Sequence, residues 1–105
     1  MDFGDAVGAL VLAAGKGTRL KSETPKALVP LLEEPLLFYP QASLQVLGLT
    51  RRAVVVGHQA DRVRQVLANV DPEAVPMEQV ELLGTGHAVQ SCRSWWKELE
   101  HLLIL

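Results

Sequence analysis

The chain has 105 residues, a formal charge of −2 and 49% apolar side chains. That length allows one domain burying about two-thirds of its unfolded surface, and that apolar content excludes a disordered tail. The near-balanced charge excludes the broad basic face of a general nucleic-acid binder. No apolar run is long enough to cross a bilayer. No basic segment precedes a leader-like core, so secretion has no support. A single cysteine, Cys92, makes no intramolecular disulfide, which implies a reducing, cytoplasmic setting.

The first predicted element is an apolar strand at 7–12. It runs into a small-residue turn, Leu12-Ala13-Ala14-Gly15-Lys16-Gly17, whose glycines let a ligand approach the backbone closely. Lys16, Arg19 and Lys26 follow. Backbone N–H groups together with fixed positive charge are what a polyphosphate requires. The spacing is not that of a Walker A loop, which places four residues between its first glycine and the Gly-Lys pair. Nor is it a dinucleotide fingerprint, because Leu20 stands where a third glycine is needed. Residues 13–35 read as a long loop punctuated by Pro25, Pro30 and Pro35, and a connection of that length favours a functional role.

A helix is predicted over 36–47, with Gly48 as its C-terminal cap and Pro40 distorting or delaying its start. A strand at 53–56 ends at Gly57-His58. A helix at 61–70 buries Val63, Val66, Leu67 and Val70 at three-four spacing, and Asp71-Pro72 stops it. A short strand is expected at 75–80. The turn at Gly84–Gly86 leads into a helix over 87–100, with Ala88, Cys92, Trp95 and Leu99 on one stripe and Val89 and Trp96 beside it. Residues 102–105 begin a fourth strand. The alternation predicts a Rossmann-like three-layer α/β/α fold, its mainly parallel sheet joined by right-handed crossovers. Ligands in such sheets lie beyond the carboxyl ends of the strands, where the loops after Leu12, at Gly57-His58 and at 79–87 are expected to meet.

The blocks Leu12-Ala13-Ala14-Gly15-Lys16-Gly17-Thr18-Arg19-Leu20-Lys21-Ser22, Pro25-Lys26, Val56-Gly57-His58, and Gln79 with Leu83-Gly84-Thr85-Gly86-His87-Ala88-Val89 resemble N-acetylglucosamine-1-phosphate uridylyltransferases. The first block marks the wider MobA-like NTP transferase superfamily; the last is narrower and resembles its uridylyl branch. The resemblance implies a truncated nucleotide-diphospho-sugar transferase fold, with residues 1–105 as its nucleotide-binding half. It implies that UTP and a sugar 1-phosphate are the substrates. The backbone from Leu12 through Ala13, Ala14 and Gly15 to Gly17 would line the nucleotide, and Lys16, Arg19 and Lys26 would hold phosphates. Arg19 and Lys26 would lie nearest the reacting centre as catalytic groups. Gln79 would read the uracil edge, Gly84 would present a backbone N–H to the base, and Thr85 would complete that wall. Mg²⁺ is the implied cofactor, with ligands expected after Leu105, so the chain is expected to be incomplete for catalysis. Where the family has a glycine before the proline that opens the first helix, this chain has Glu33-Glu34.

Other residues read as structural. His58 and His87 are expected to brace loops, Asp61 to start a helix, and Cys92 and Trp95 to pack in the core. The three histidines have no metal-ligand spacing. The chain stops within an apolar strand, so a longer fold is expected, and its exposed sheet edges would allow pairing with another copy. The rival readings are a cytidylyl or guanylyl transferase and a non-catalytic nucleotide-binding module.

Overall fold

The computed structural model describes residues 6–15, 24–79 and 84–105. Four strands form one parallel sheet: β1 (Val7–Ala13), β4 (Arg51–Val56), β5 (Val75–Glu78) and β6 (His101–Ile104). Their spatial order is β5-β4-β1-β6. The chain moves outward from β1 through β4 to β5, then returns to the other side of β1, pairing Leu10 with Ile104. Strand order therefore reverses at β1, the arrangement that opens a crevice at the carboxyl end of a doubly wound sheet.

Strand periodicity assigns the two faces. Ala9, Val11 and Ala13 of β1, with Val54 and Val56 of β4, pack in one apolar cluster with Leu44 of α1 (Phe38–Val46) and Val63 and Leu67 of α2 (Ala60–Val70). Leu10, Ala53 and Val55 face the opposite way. They pack with Ala88 of α3 (Thr85–Ser91), with Cys92, and with Trp95 and Trp96 of α4 (Arg93–Trp96). The expected three layers are thus present. At Gly8 the second layer comes close: a Cβ there would stand 2.6 Å from Leu99 Cδ1 and 3.2 Å from Trp95 Cη2.

The first helix begins at Phe38, two residues later than expected, and Pro40 falls in its opening turn. The N–H that proline lacks is one that no helical carbonyl would accept there, so the helix tolerates it. At the other end Gly48, at φ +82°, completes a Schellman cap. Its N–H donates to Gln45 O, and the N–H of buried Leu49 donates to Leu44 O.

Two expectations need correction. The region before α1 is not wholly loop: it holds a 3₁₀ turn (Lys26–Leu28) and a small antiparallel hairpin of β2 (Pro30–Leu31) and β3 (Glu34–Pro35). The helix expected over 87–100 breaks at Cys92, which leaves helical geometry at φ −104°, ψ 13°. Val89 O takes the N–H of Cys92 and the Trp96 indole N–H instead of continuing the helical ladder. Seating both tryptophans against the sheet decides the break.

The hairpin turn holds Leu32 at φ +51° and Glu33 at φ +72°. Two positive φ values are the mark of a type I′ turn, which favours Asn-Gly. Glu33 therefore occupies a backbone region that costs a side chain about 1 kcal/mol or more. Glu33→Gly is expected to stabilise the fold by about 0.5–1 kcal/mol, net of the glycine's extra unfolded-state entropy. Thermal denaturation should show a midpoint a few degrees higher.

At the amino end of β4 a charged pair is buried. Arg52 Nη2 and Nε donate to the two Asp71 carboxylate oxygens, each at 2.7 Å, and Gln41 Nε2 donates to Asp71 Oδ2 at 2.8 Å. Arg52 Nη1 also donates to Leu49 O. Burial alone would raise the Asp71 pKa. The hydrogen bonds from Arg52 and Gln41 and the Arg52 charge outweigh it and hold the carboxyl below its ordinary range. The bonds that Arg52 donates to Asp71, against burial, raise the Arg52 pKa. The sequence reading took Asp71 only as a helix stop.

Candidate functional site

Where β1 ends, the backbone of Ala14 and Gly15 leaves the sheet. Ala14 O accepts the N–H of His58 at 3.0 Å, and Gly15 O receives the N–H of Lys26 in a weak 3.5 Å contact. These bonds set the turn between the β4 loop and the segment opened by buried Pro25. Across the sheet end, the Gln79 N–H donates to Val56 O at 2.8 Å, extending the β4–β5 ladder by one bond. Gln79 is thereby placed at the carboxyl edge with its side chain buried.

Between these segments lies a hollow of about 670 Å³. Leu12, Ala13, Ala14 and Gly15 line one side, Gln79, Gly84 and Thr85 another, and Lys26 stands at the rim. Leu36, Leu37 and Pro40 at the start of α1 supply an apolar wall, with Ala27 and Ala88 beside them. Eight of the candidate residues therefore share one cavity, although sixty-odd positions separate the turn after β1 from Gln79. Lys16, Gly17 and Arg19 lie outside the described residues.

Small side chains keep the floor open. Ala13, Ala14 and Ala88 bring backbone and Cβ atoms to the surface where larger residues would fill the space. Gly84, at φ +97°, precedes α3 in a conformation that side chains disfavour. Thr85 makes no capping bond; the N-terminal cap position belongs to Gly84. Lys26 is exposed, and among the described residues no carboxylate is in ion-pair contact with it. Its ammonium is thus available to an anion in the hollow. The Gln79 amide nitrogen lies 2.9 Å from His87 Nδ1 and 3.5 Å from Gly84 O.

The Gly57-His58 loop does not line this hollow. His58 acts through its backbone on Ala14, as a brace, while Gly57 faces a separate depression beside Gln59, Arg62, Arg64 and Glu78. The arginines there are engaged: Arg64 pairs with Asp61 at 3.0 Å and Glu78 at 2.8 Å, and Arg62 donates to Gln59 Oε1. Sequence reading also missed the Leu36–Pro40 wall. Proline and leucine at a helix start carry no chemical signature, and only the path of the preceding hairpin brings them over the strand end.

Among the described residues, the side chains around the hollow supply an ammonium, an amide and a hydroxyl, with no carboxylate. They do not fit a hard cation such as Mg²⁺, which takes oxygen ligands including carboxylates. Among the described residues no group of three His, Cys, Asp or Glu is placed to hold a metal. At the hollow's edge the Leu12 N–H donates to Leu105 O at 2.9 Å, so the end of β6 abuts the rim. No helix among the described residues is long and apolar enough to cross a membrane.

Residues 9–105 match the family described as MobA-like NTP transferase domain. The chain is 44% identical over 85 residues to the bifunctional protein GlmU of Geobacter metallireducens, covering 81% of this chain and 18% of that protein. It is 43% identical over 101 residues to the GlmU of Syntrophotalea carbinolica, covering 96% of this chain and 21% of that one. The chain thus spans about a fifth of the length of the curated relatives it matches. Among solved structures, HddC from Yersinia pseudotuberculosis complexed with GMP-PN superposes with a TM-score of 0.75 at 26% identity. That match covers 84% of this chain and 42% of HddC.

Proposed function

We propose, for a chain that belongs to the family of MobA-like NTP transferase domains, that the hollow binds UTP for transfer of its UMP group to N-acetylglucosamine 1-phosphate. The products would be UDP-N-acetylglucosamine and pyrophosphate. The observation that carries this reading is the shared cavity: a turn suited to phosphates and a segment suited to a base edge face one space of nucleotide size. Similarity to GlmU proteins across most of the chain supports the choice of nucleotide and acceptor.

In the proposed reaction an oxygen of the sugar phosphate attacks the α-phosphorus of UTP, and pyrophosphate leaves. The nucleophile is already an anion, so no strong general base is required. The task is to align two polyanions and to offset charge on the bridging oxygens. Lys26 provides a point charge at the rim. Arg19 would provide a forked grip on phosphate oxygens and Lys16 a further cation. Leu36, Leu37 and Pro40 would cover the nucleoside and shed water from it. Gln79, whose amide holds both donor and acceptor, would read the pyrimidine. Mg²⁺ would offset charge on the phosphates during transfer, and its ligands would have to come from outside the residues lining this hollow.

Calorimetry with UTP, CTP and GTP tests this. The expected result is UTP binding about tenfold or more tighter than CTP, with Gln79→Leu bringing the two within roughly threefold. Equal binding of all three by the unaltered chain, or a preference for GTP, would reject the uridylyl reading. The guanine alternative is the serious rival, because the HddC structure is described as a complex with GMP-PN.

A further inference from the structure

Among the described residues, Gln79 is the buried polar side chain that lines the hollow. A glutamine amide that rotates freely can offer either its oxygen or its NH₂ to a base. It would then accept from the N3–H of uracil or donate to the bare N3 of cytosine with equal ease. A reader of that kind discriminates poorly. Discrimination requires the amide to be held in one orientation.

The structure supplies two holds. The Gln79 amide nitrogen is 2.9 Å from His87 Nδ1, and it also faces Gly84 O at 3.5 Å. A backbone carbonyl only accepts, so it favours the NH₂ group on that side of the amide over the oxygen. With the NH₂ there, Nδ1 of His87 must be the acceptor, which places the imidazole proton on Nε2. Both amide hydrogens are then directed to Gly84 and α3, and the amide oxygen is left for the hollow. His87 is half-buried at the third position of α3, so its ring reaches Gln79 from a helix packed on the sheet through Ala88.

We infer that His87 is a positioning residue: its Nδ1 locks the Gln79 amide with the oxygen toward the hollow and so sets uracil over cytosine. The inference rests on the nucleotide reading above and deepens it. A locked acceptor matches the imide N–H of uracil and opposes the N3 lone pair of cytosine. An Nδ1–H on His87 would call for the opposite amide orientation, so the lock depends on the Nε2–H tautomer. His87 itself need not touch the nucleotide.

Three measurements on the full chain test this. Isotope-edited NMR of the imidazole nitrogens should show Nδ1 unprotonated and Nε2 protonated. Calorimetry of His87→Ala should show UTP binding weakened and CTP binding strengthened, lowering the UTP-to-CTP ratio by roughly tenfold. His87→Asn, whose Oδ1 falls near the position of Nδ1 and also accepts, should restore most of that ratio, as a merely structural loss would not. A protonated Nδ1, an unchanged ratio in His87→Ala, or equal weakening of both nucleotides that asparagine fails to rescue would each overturn the lock. Absence of UTP preference in the unaltered chain would instead reject the uridylyl reading itself, so the two failures are distinguishable.

Discussion

Asp71→Ala is expected to destabilise the fold by about 3–5 kcal/mol, because it leaves the buried Arg52 guanidinium with only the exposed Glu73 carboxylate, 3.8 Å away, as counter-charge. Arg52 and Asp71 are 6% and 1% exposed, so little water reaches either charge. For a domain of this size the melting midpoint should fall by roughly 12 °C or more. The double variant Arg52→Met/Asp71→Leu should recover most of the loss, since replacing a buried pair by apolar residues of similar volume is often neutral. A double variant as unstable as the single one would show that the pair itself contributes the stability. The pair also predicts acid sensitivity. The Asp71 carboxyl is held below its ordinary pKa. Its contribution is therefore present above the unfolded-state value and is lost as pH falls through the folded-state value. Denaturant titrations from neutral to acid pH should show that decline, and Arg52→Met/Asp71→Leu should flatten it. Arg52 stands near the amino end of β4, whereas the hollow opens at the carboxyl end. Nucleotide affinity of the folded Asp71→Ala chain should accordingly be unchanged.

Lys26→Glu is expected to weaken UTP binding by about 10–100-fold, the loss of a charge-assisted contact worth about 1.5–3 kcal/mol. The reversed charge also repels the triphosphate. Lys26→Arg should retain most of the affinity. The discriminating ligand is uridine: without phosphates it should bind Lys26→Glu as it binds the unaltered chain. Equal losses for uridine and UTP in calorimetry would mean that the substitution deforms the hollow, and Lys26 would leave the mechanism. The expected effect on folding is small, because the Lys26 side chain is exposed and carries no ion pair among the described residues.

Much of the fold was legible because its signals are local. Val63 and Leu67 recur at helical spacing and are buried, and the apolar runs of β1 and β4 show their double-sided burial. Gly48 marked its helix end correctly, because a residue at positive φ after a helix favours glycine. The hairpin at Pro30–Pro35 was not legible. Leu32 and Glu33 are not residues that announce a type I′ turn, and the Tyr39 hydroxyl donating to Leu31 O ties the hairpin to α1 from outside it. The break at Cys92 was hidden for a related reason: it goes with the seating of both tryptophans against the sheet and the Trp96 indole bond to Val89 O, contacts between residues that periodicity does not relate.

For the candidate site, residue chemistry pointed to the glycine turn after β1 and to Lys26, whereas Gln79, Gly84 and Thr85 were indicated only by the family resemblance, since an amide at a strand end carries no signal by itself. Periodicity likewise determined the parallel α/β class, because burial on both faces of a strand writes itself into consecutive residues. The same alternation placed the turn after β1 and the loop at Gln79 at one sheet end, where they line one hollow; two things waited on the tertiary structure, that His87 holds the Gln79 amide and that Arg52 meets Asp71. Neither is written in a local pattern, because each depends on how a helix end packs against the strand beside it, and that packing alone sets where side chains from separate elements meet.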